Sequence, residues 1–200
     1  MFHYYMFNKP YGCVTARTDE RYPTVMDYFK ELNNGNLSPV GRLDLETEGL
    51  LIITDDGKWN QMMTNPKYSK EKVYEFISMG VLSEDKKEIL ENGIHISGMD
   101  KLTAPAKVEV LEYTTFEKIV ERLHPDIYEK CKRNLPSQPM TIGRITITEG
   151  KKHQVRKMLK SVNCYVVSLK RIAFGGICLD DELKPGEWIE INISISSCAQ

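Results

Sequence analysis

The chain has 200 residues, is 41% hydrophobic and 28% charged, and carries a formal net charge of -1. That length buries a core as one ordinary domain or two small subdomains, without disulfides or metals as staples. No apolar run approaches the roughly 20 residues of a membrane-spanning helix; the longest centres on Leu50 to Ile53. The N-terminal MFHYYMFNKPYG lacks the basic region and apolar stretch of a secretory signal, so the cytoplasm is the expected compartment. Five cysteines (Cys13, Cys131, Cys164, Cys178, Cys198) form an odd set without CxxC spacing. They read as reduced packing residues, against both a zinc site and a disulfide framework.

In chain order, the β-branched and aromatic runs predict strands at His3 to Phe7, Leu50 to Thr54, Val73 to Met79 and Ala106 to Tyr113. Three more follow at Ile142 to Thr148, Cys164 to Leu169 and Glu187 to Ile193. Helices are expected at Thr24 to Leu32, after Pro23, and at Lys58 to Thr64, after the turn Asp55-Asp56-Gly57. Another spans Ser83 to Asn92, with Ser83 as cap, Glu84 and Asp85 in its first turn and Gly93 as its stop. Residues 120–140, with Pro125, Pro136 and Pro139, read as a partly helical surface insertion rather than a domain boundary. The last helix falls within Lys151 to Val162, where Val155, Met158, Leu159 and Val162 repeat at i, i+3, i+4 and i+7. Strands outnumber helices without βαβ alternation, which predicts an α+β fold with a mostly antiparallel, mixed sheet and flanking helices. A single domain over 1–200 is expected.

Charge is distributed unevenly. Between Lys151 and Leu179 stand Lys151, Lys152, Arg156, Lys157, Lys160, Lys170 and Arg171, with no aspartate or glutamate. The rest of the chain keeps 20 of the 27 basic residues against all 28 acidic ones. Such a strip suits a polyanion, and Lys152, Arg156 and Lys160 share one helix edge at four-residue spacing. A solvated charged face is the bland alternative, although such faces usually mix both signs.

The acidic segment GRLDLETEG at 41–49 runs straight into an apolar strand. Asp44, Glu46, Glu48, Gly49 and Asp55 nearly satisfy a calcium-loop pattern. The flanks oppose it, because that loop lies between helices and ends in a bidentate Glu, whereas here Leu50 to Thr54 follow the glycine. No metal site is therefore expected. On base rates the carboxylates would be a solvated turn, Arg156 a surface arginine, and Tyr74 and Leu169 strand core.

Taken together, GRLDLETEGLLIITDDG closely resembles the catalytic motif of the pseudouridine synthases that act on ribosomal RNA. Further segments follow in that family's order: NKPYG at Asn8 to Gly12, Lys72-Val73-Tyr74, EGKKHQVRKM at Glu149 to Met158, Leu169-Lys170-Arg171, and Phe174-Gly175-Gly176. Leu102-Thr103-Ala104-Pro105 and Lys184-Pro185-Gly186-Glu187 are similar to the small-subunit (16S) branch. The resemblance implies the pseudouridine synthase fold with a central cleft, and isomerisation of a flipped-out uridine without any cofactor. It implies Asp44 as the essential carboxylate and Arg156 beside it. It implies Tyr74 on one face of the uracil, Leu169 on the other, and Arg42 in the place the nucleotide has left. Lys151, Lys152, Lys157 and Lys160 would hold phosphates. The expected partner is ribosomal RNA or a ribosome assembly intermediate, met by a monomer without a membrane. Members of that branch often carry a small RNA-binding domain first; here NKPYG begins eight residues in, so the catalytic domain alone is expected. An RNA-binding module without catalysis, a large-subunit enzyme and a calcium-regulated interaction protein are the rival readings.

Overall fold

The structure, a computed structural model, describes residues 2–193; Cys198 lies outside them. In chain order the strands are β1 (Tyr4–Lys9), β2 (Ser38–Pro39), β3 (Glu48–Thr54), β4 (Lys72–Met79), β5 (Lys107–Thr115), β6 (Pro139–Ile147), β7 (Tyr165–Phe174), β8 (Ile177–Cys178) and β9 (Trp188–Glu190). The helices are α1 (Gly57–Thr64), α2 (Glu84–Glu91), α3 (Phe116–Ile119), α4 (Pro125–Cys131) and α5 (Gln154–Ser161). The chain folds into two compact units, one comprising residues up to Lys72 and from Lys170 onward, the other Val73–Leu169. The architecture is α+β, as the strand-rich pattern predicts. No described helix is long and apolar enough to cross a membrane.

In the first unit the order is β7-β3-β1-β9, with β2 on β3 and β8 on β7. β1 runs antiparallel to β3 (Tyr4↔Thr54 through Lys9↔Gly49) and to β9, while β3 and β7 pair in parallel at Glu48↔Lys170 and Gly49↔Arg171. Leu50, Leu51, Ile52 and Ile53 are all fully buried, which explains their continuous apolar run: β3 is covered on both faces. One face meets Tyr4, Met6, Trp59, Met63 and Phe174. On β1 the alternate residues Tyr5 and Phe7 enter an aromatic cluster, with Phe7 5.0 Å from Tyr28 and 5.5 Å from Phe29, and Tyr5 5.2 Å from Trp188. Each such side chain stabilises by about 1.5–3 kcal/mol through burial, which makes this region the anchor for the loops that leave it. Asp56 caps α1 by accepting from Lys58 N and Trp59 N, each at 3.0 Å.

In the second unit the order is β5-β6-β4 and the first half of β7. β5 and β6 are antiparallel, with a bulge between Val110 and Glu112. On β4 alternate positions Tyr74, Phe76 and Ser78 are buried, the period expected of a strand covered on one face. The predicted stripe of the basic helix is buried in full: Val155, Met158, Leu159 and Val162.

Several boundaries differ from the sequence reading for physical reasons. The element predicted as a helix from Thr24 forms a tighter 3-10 turn at Val25–Leu32, closed by the Asp27 carboxylate accepting from Thr24 N at 2.7 Å. Ser83 precedes α2 but its side chain makes no capping bond. α5 begins at Gln154, because His153 adopts a left-handed conformation (φ 55°) before it. β7 continues five residues beyond Leu169 to Phe174. The segment read as a surface insertion carries α4 and buries Leu123 and Ile127.

Candidate active site

Asp44 lies in a loop that enters β3, and a second stretch of chain holds that loop in shape. Residues 12–15 run beside it: Gly12 N donates to Leu45 O at 3.0 Å, and the Thr15 hydroxyl donates to Leu43 O at 2.8 Å while accepting from Leu43 N at 3.1 Å. Thr47 N closes a turn on Asp44 O at 3.0 Å. Lys9, wholly buried at the end of β1, donates from Nζ to Thr47 O at 2.8 Å and to Pro10 O at 3.0 Å. NKPYG is therefore the brace of the aspartate loop, which is why the two motifs occur together. Asp44 itself is half-buried and Arg42 is exposed.

Lys9 is electrostatically unusual. Loss of hydration pushes its ammonium down from 10.5 to about 8, although the Cys13 thiol, Glu48 and Asp44 all act in the opposite direction. Burial also pushes the Cys13 thiol up to about 11.

Where the loop becomes β3, Gly49 has φ 99° and lies against β7 so closely that a Cβ would stand 2.2 Å from Arg171 O. Only glycine fits there. Arg171 is 1% exposed, and its Nε donates to Leu50 O at 2.9 Å.

The second unit holds the other residues that the resemblance singles out. Tyr74 on β4 and Leu169 on β7 are both buried, on strands that neighbour each other. Arg156 on α5 is half-buried, with Nη1 donating to Val166 O at 3.2 Å. Lys151, Lys152 and Lys160 are exposed. Lys157 differs from them, since its Nζ donates to Ser97 O at 2.7 Å and so braces the chain between α2 and β5.

The turn before α5 is built by two motif residues to which the sequence reading assigned nothing. The Gln154 amide, 3% exposed, donates to Glu149 Oε1 at 2.6 Å and accepts from Lys151 N at 2.9 Å; the same Glu149 oxygen accepts from Ala104 N at 2.9 Å. EGKKHQ is thus the scaffold of the basic helix as well as its charge. Lys9, Glu149, Gln154 and Arg171 escape sequence reading because their roles depend on burial. The one available signal is a polar or charged residue inside an otherwise apolar strand or helix stripe.

Among the described residues no three His, Cys, Asp or Glu side chains gather as a metal site. Asp55, the last member of the calcium-like pattern, is instead tied to His3 and Asn34: it accepts from His3 N at 2.8 Å and Asn34 Nδ2 at 2.9 Å, with His3 Nδ1 2.9 Å away.

The fold is α+β, with a braced aspartate loop in the first unit and a basic helix in the second, and a cationic face of that kind suits a polyanion. A profile of the RNA pseudouridylate synthase family matches residues 3–161. The ribosomal small subunit pseudouridine synthase A of Escherichia coli is 35% identical over 185 residues, covering 92% of this chain and 68% of that protein. The synthase of the same name from Pseudomonas aeruginosa is 33% identical over 189 residues, covering 94% of this chain and 70% of its own. A crystal structure of a pseudouridylate synthase superposes with a TM-score of 0.77 at 31% identity, over 96% of this chain and 71% of that one. The chain belongs to the RNA pseudouridylate synthase family, and it is an RNA pseudouridine synthase.

Proposed function

We propose that the protein isomerises a uridine of small-subunit ribosomal RNA to pseudouridine, with Asp44 as the essential carboxylate. The observation that carries this is the Asp44 loop: a half-exposed aspartate on a turn braced by Lys9, Gly12 and Thr15, while almost everything around its root is buried. A reacting group needs such fixed geometry. The target rests on the small-subunit synthases that share about a third of its residues.

In the reaction the bond between C1′ and N1 breaks and one between C1′ and C5 forms; the proton leaves C5 and N1 gains one. Atoms and electrons balance within the uridine, so no oxidant, metal or nucleotide cofactor enters. Asp44 serves by covalent attack or by taking up a proton. The base must first leave its stack, at a cost of a few kcal/mol that Tyr74 and Leu169 offset by covering its faces. Arg156 and Arg42 contact the substrate RNA, Arg42 in the space the nucleotide vacates. Lys151, Lys152 and Lys160 hold phosphates, joined by Lys157 where its bond to Ser97 yields. The protein works as a monomer in the cytoplasm, on free ribosomal RNA or an assembly intermediate.

The test is a map of pseudouridines in both ribosomal RNAs with and without the gene. Loss of one small-subunit site is expected, restored by the wild-type chain and not by D44N. An unchanged map rejects the reading, and a lost large-subunit site moves the target to the other RNA.

A further inference from the structure

Arg171 is the largest fully buried side chain in the described protein, and no carboxylate pairs with it. Its hydrogen bonding is spare: Nε donates to Leu50 O at 2.9 Å, and one terminal nitrogen, Nη2, is buried without an acceptor among the described residues. Its guanidinium carbon lies 4.8 Å from the centre of the Phe174 ring. Lys72 Nζ stands 5.2 Å from the centre of that same ring and donates to Lys70 O at 3.0 Å. Next to the ring, Gly175 N donates to Glu71 O at 2.8 Å. Gly175 has φ 56°, and a Cβ there would stand 2.3 Å from Met63 Cε.

A buried cation without a counter-charge lowers stability, and an apolar residue of similar volume commonly does as well or better in its place. Keeping arginine at such a position therefore calls for a reason other than stability. The contacts supply one. Arg171 grips the carbonyl of Leu50, one residue beyond the glycine where the Asp44 loop enters β3, and the aromatic face it rests on also carries Lys72.

We propose that Arg171, stacked on Phe174, is a positioning residue that fixes the root of the Asp44 loop. It touches no substrate. It acts through the Leu50 carbonyl, with its guanidinium held on the Phe174 ring. Arginine suits the task better than lysine, since a planar fork donates along its edge while its face stays on the ring. The inference rests on the reading of Asp44 as the reacting carboxylate.

The experiment measures kcat and KM for pseudouridine formation on small-subunit ribosomal RNA, together with the melting temperature, for the wild type, R171M, R171K and F174L. Misplacing a reacting group by about 1 Å costs on the order of 100-fold. R171M is therefore expected to lose roughly 30- to 100-fold in kcat with KM within about threefold, and to melt no lower than the wild type by more than a few degrees. R171K and F174L are expected to lose about 3- to 10-fold in kcat, again with KM held. A purely structural residue would instead lose activity and melting temperature in parallel, and that outcome overturns the proposal. So does wild-type turnover in R171M. Should R171M fail to fold, R171K decides by the same split, and wild-type turnover in it overturns the proposal. Absence of pseudouridine with wild-type protein overturns the functional reading itself, a result told apart by the control alone.

Discussion

The two units handle their positive charge in opposite ways. In the first, Lys9 and Arg171 are buried to 1% exposure or less and donate to the backbone carbonyls of Thr47 and Leu50, either side of the turn into β3. In the second, Lys151, Lys152 and Lys160 are exposed around the start and outer edge of α5. Buried cations fix geometry at a cost in hydration, whereas exposed ones attract a polyanion and are screened by salt. Under the proposed function the reacting carboxylate lies in the first unit and the phosphate-holding lysines in the second, and each substitution below tests one side of that division.

The largest effect is expected at Asp44. D44N keeps the size and the Thr47 N contact to Asp44 O, which is a backbone bond. Turnover should fall by at least about 1000-fold, while RNA affinity stays within a few-fold. A loss of affinity as great as the loss of turnover would show that the first unit holds RNA too, and the division would fail. Next comes Gly49. G49A places a Cβ 2.2 Å from Arg171 O at φ 99°, where neither backbone can yield. Unfolding experiments should show a loss of about 4 kcal/mol or more. A loss below 1 kcal/mol would mean that the loop root is looser than its contacts indicate.

On the other side stands the exposed pair Lys152 and Lys160. Replacing both with glutamine should weaken RNA binding about tenfold near 50 mM salt and reduce the slope of log affinity against log salt by roughly 1.4, two phosphates' worth on a single strand. Turnover at saturating RNA should not change. A fall in kcat with an unaltered salt slope would move these lysines to the chemical side of the division.

This division also marks what could be read from the residues. The apolar stripe of α5 is legible because period and burial agree: Val155, Met158, Leu159 and Val162 all point inward. The continuous run at β3 is legible for the same reason. Two failures share a cause. The strand expected at Cys164 to Leu169 stops short of two consecutive basic residues, Lys170 and Arg171. Instead Arg171 continues the strand while buried, its hydrogen bond made to a partner more than a hundred residues earlier. α5, expected within Lys151 to Val162 with Lys152 on its edge, starts only at Gln154, because Gln154 folds back on Glu149 and His153 turns left-handed, which nothing local reveals. Asp44 stood out through its motif, while Lys9, its brace, did not, since a lysine inside a strand is ordinarily a solvated one. Long-range partners, which local pattern cannot supply, separate the legible half of the site from the rest.

The smallest effect is the most specific to buried charge. Burial holds the Lys9 ammonium at about 8 in the folded protein against 10.5 for an ordinary lysine. Below pH 8 both states are protonated, and folding bears the full cost of dehydrating the charge. Above it the folded state releases the proton while the unfolded chain keeps it, so stability rises with pH. Asp44, Glu48 and Cys13 are the groups whose charges bear on Lys9. Cys13 limits the window: its thiol, pushed up to about 11 from 9.0, makes the unfolded chain lose protons first above pH 9, which offsets the rise due to Lys9. The Lys9 signal is therefore cleanest between about pH 8 and 9, where it amounts to at most about 1 kcal/mol. Denaturant titrations across that interval should show the rise in the wild type and its absence in K9M. An equal rise in both would show that Lys9 is not the titrating group and that its ammonium does not release a proton in that interval.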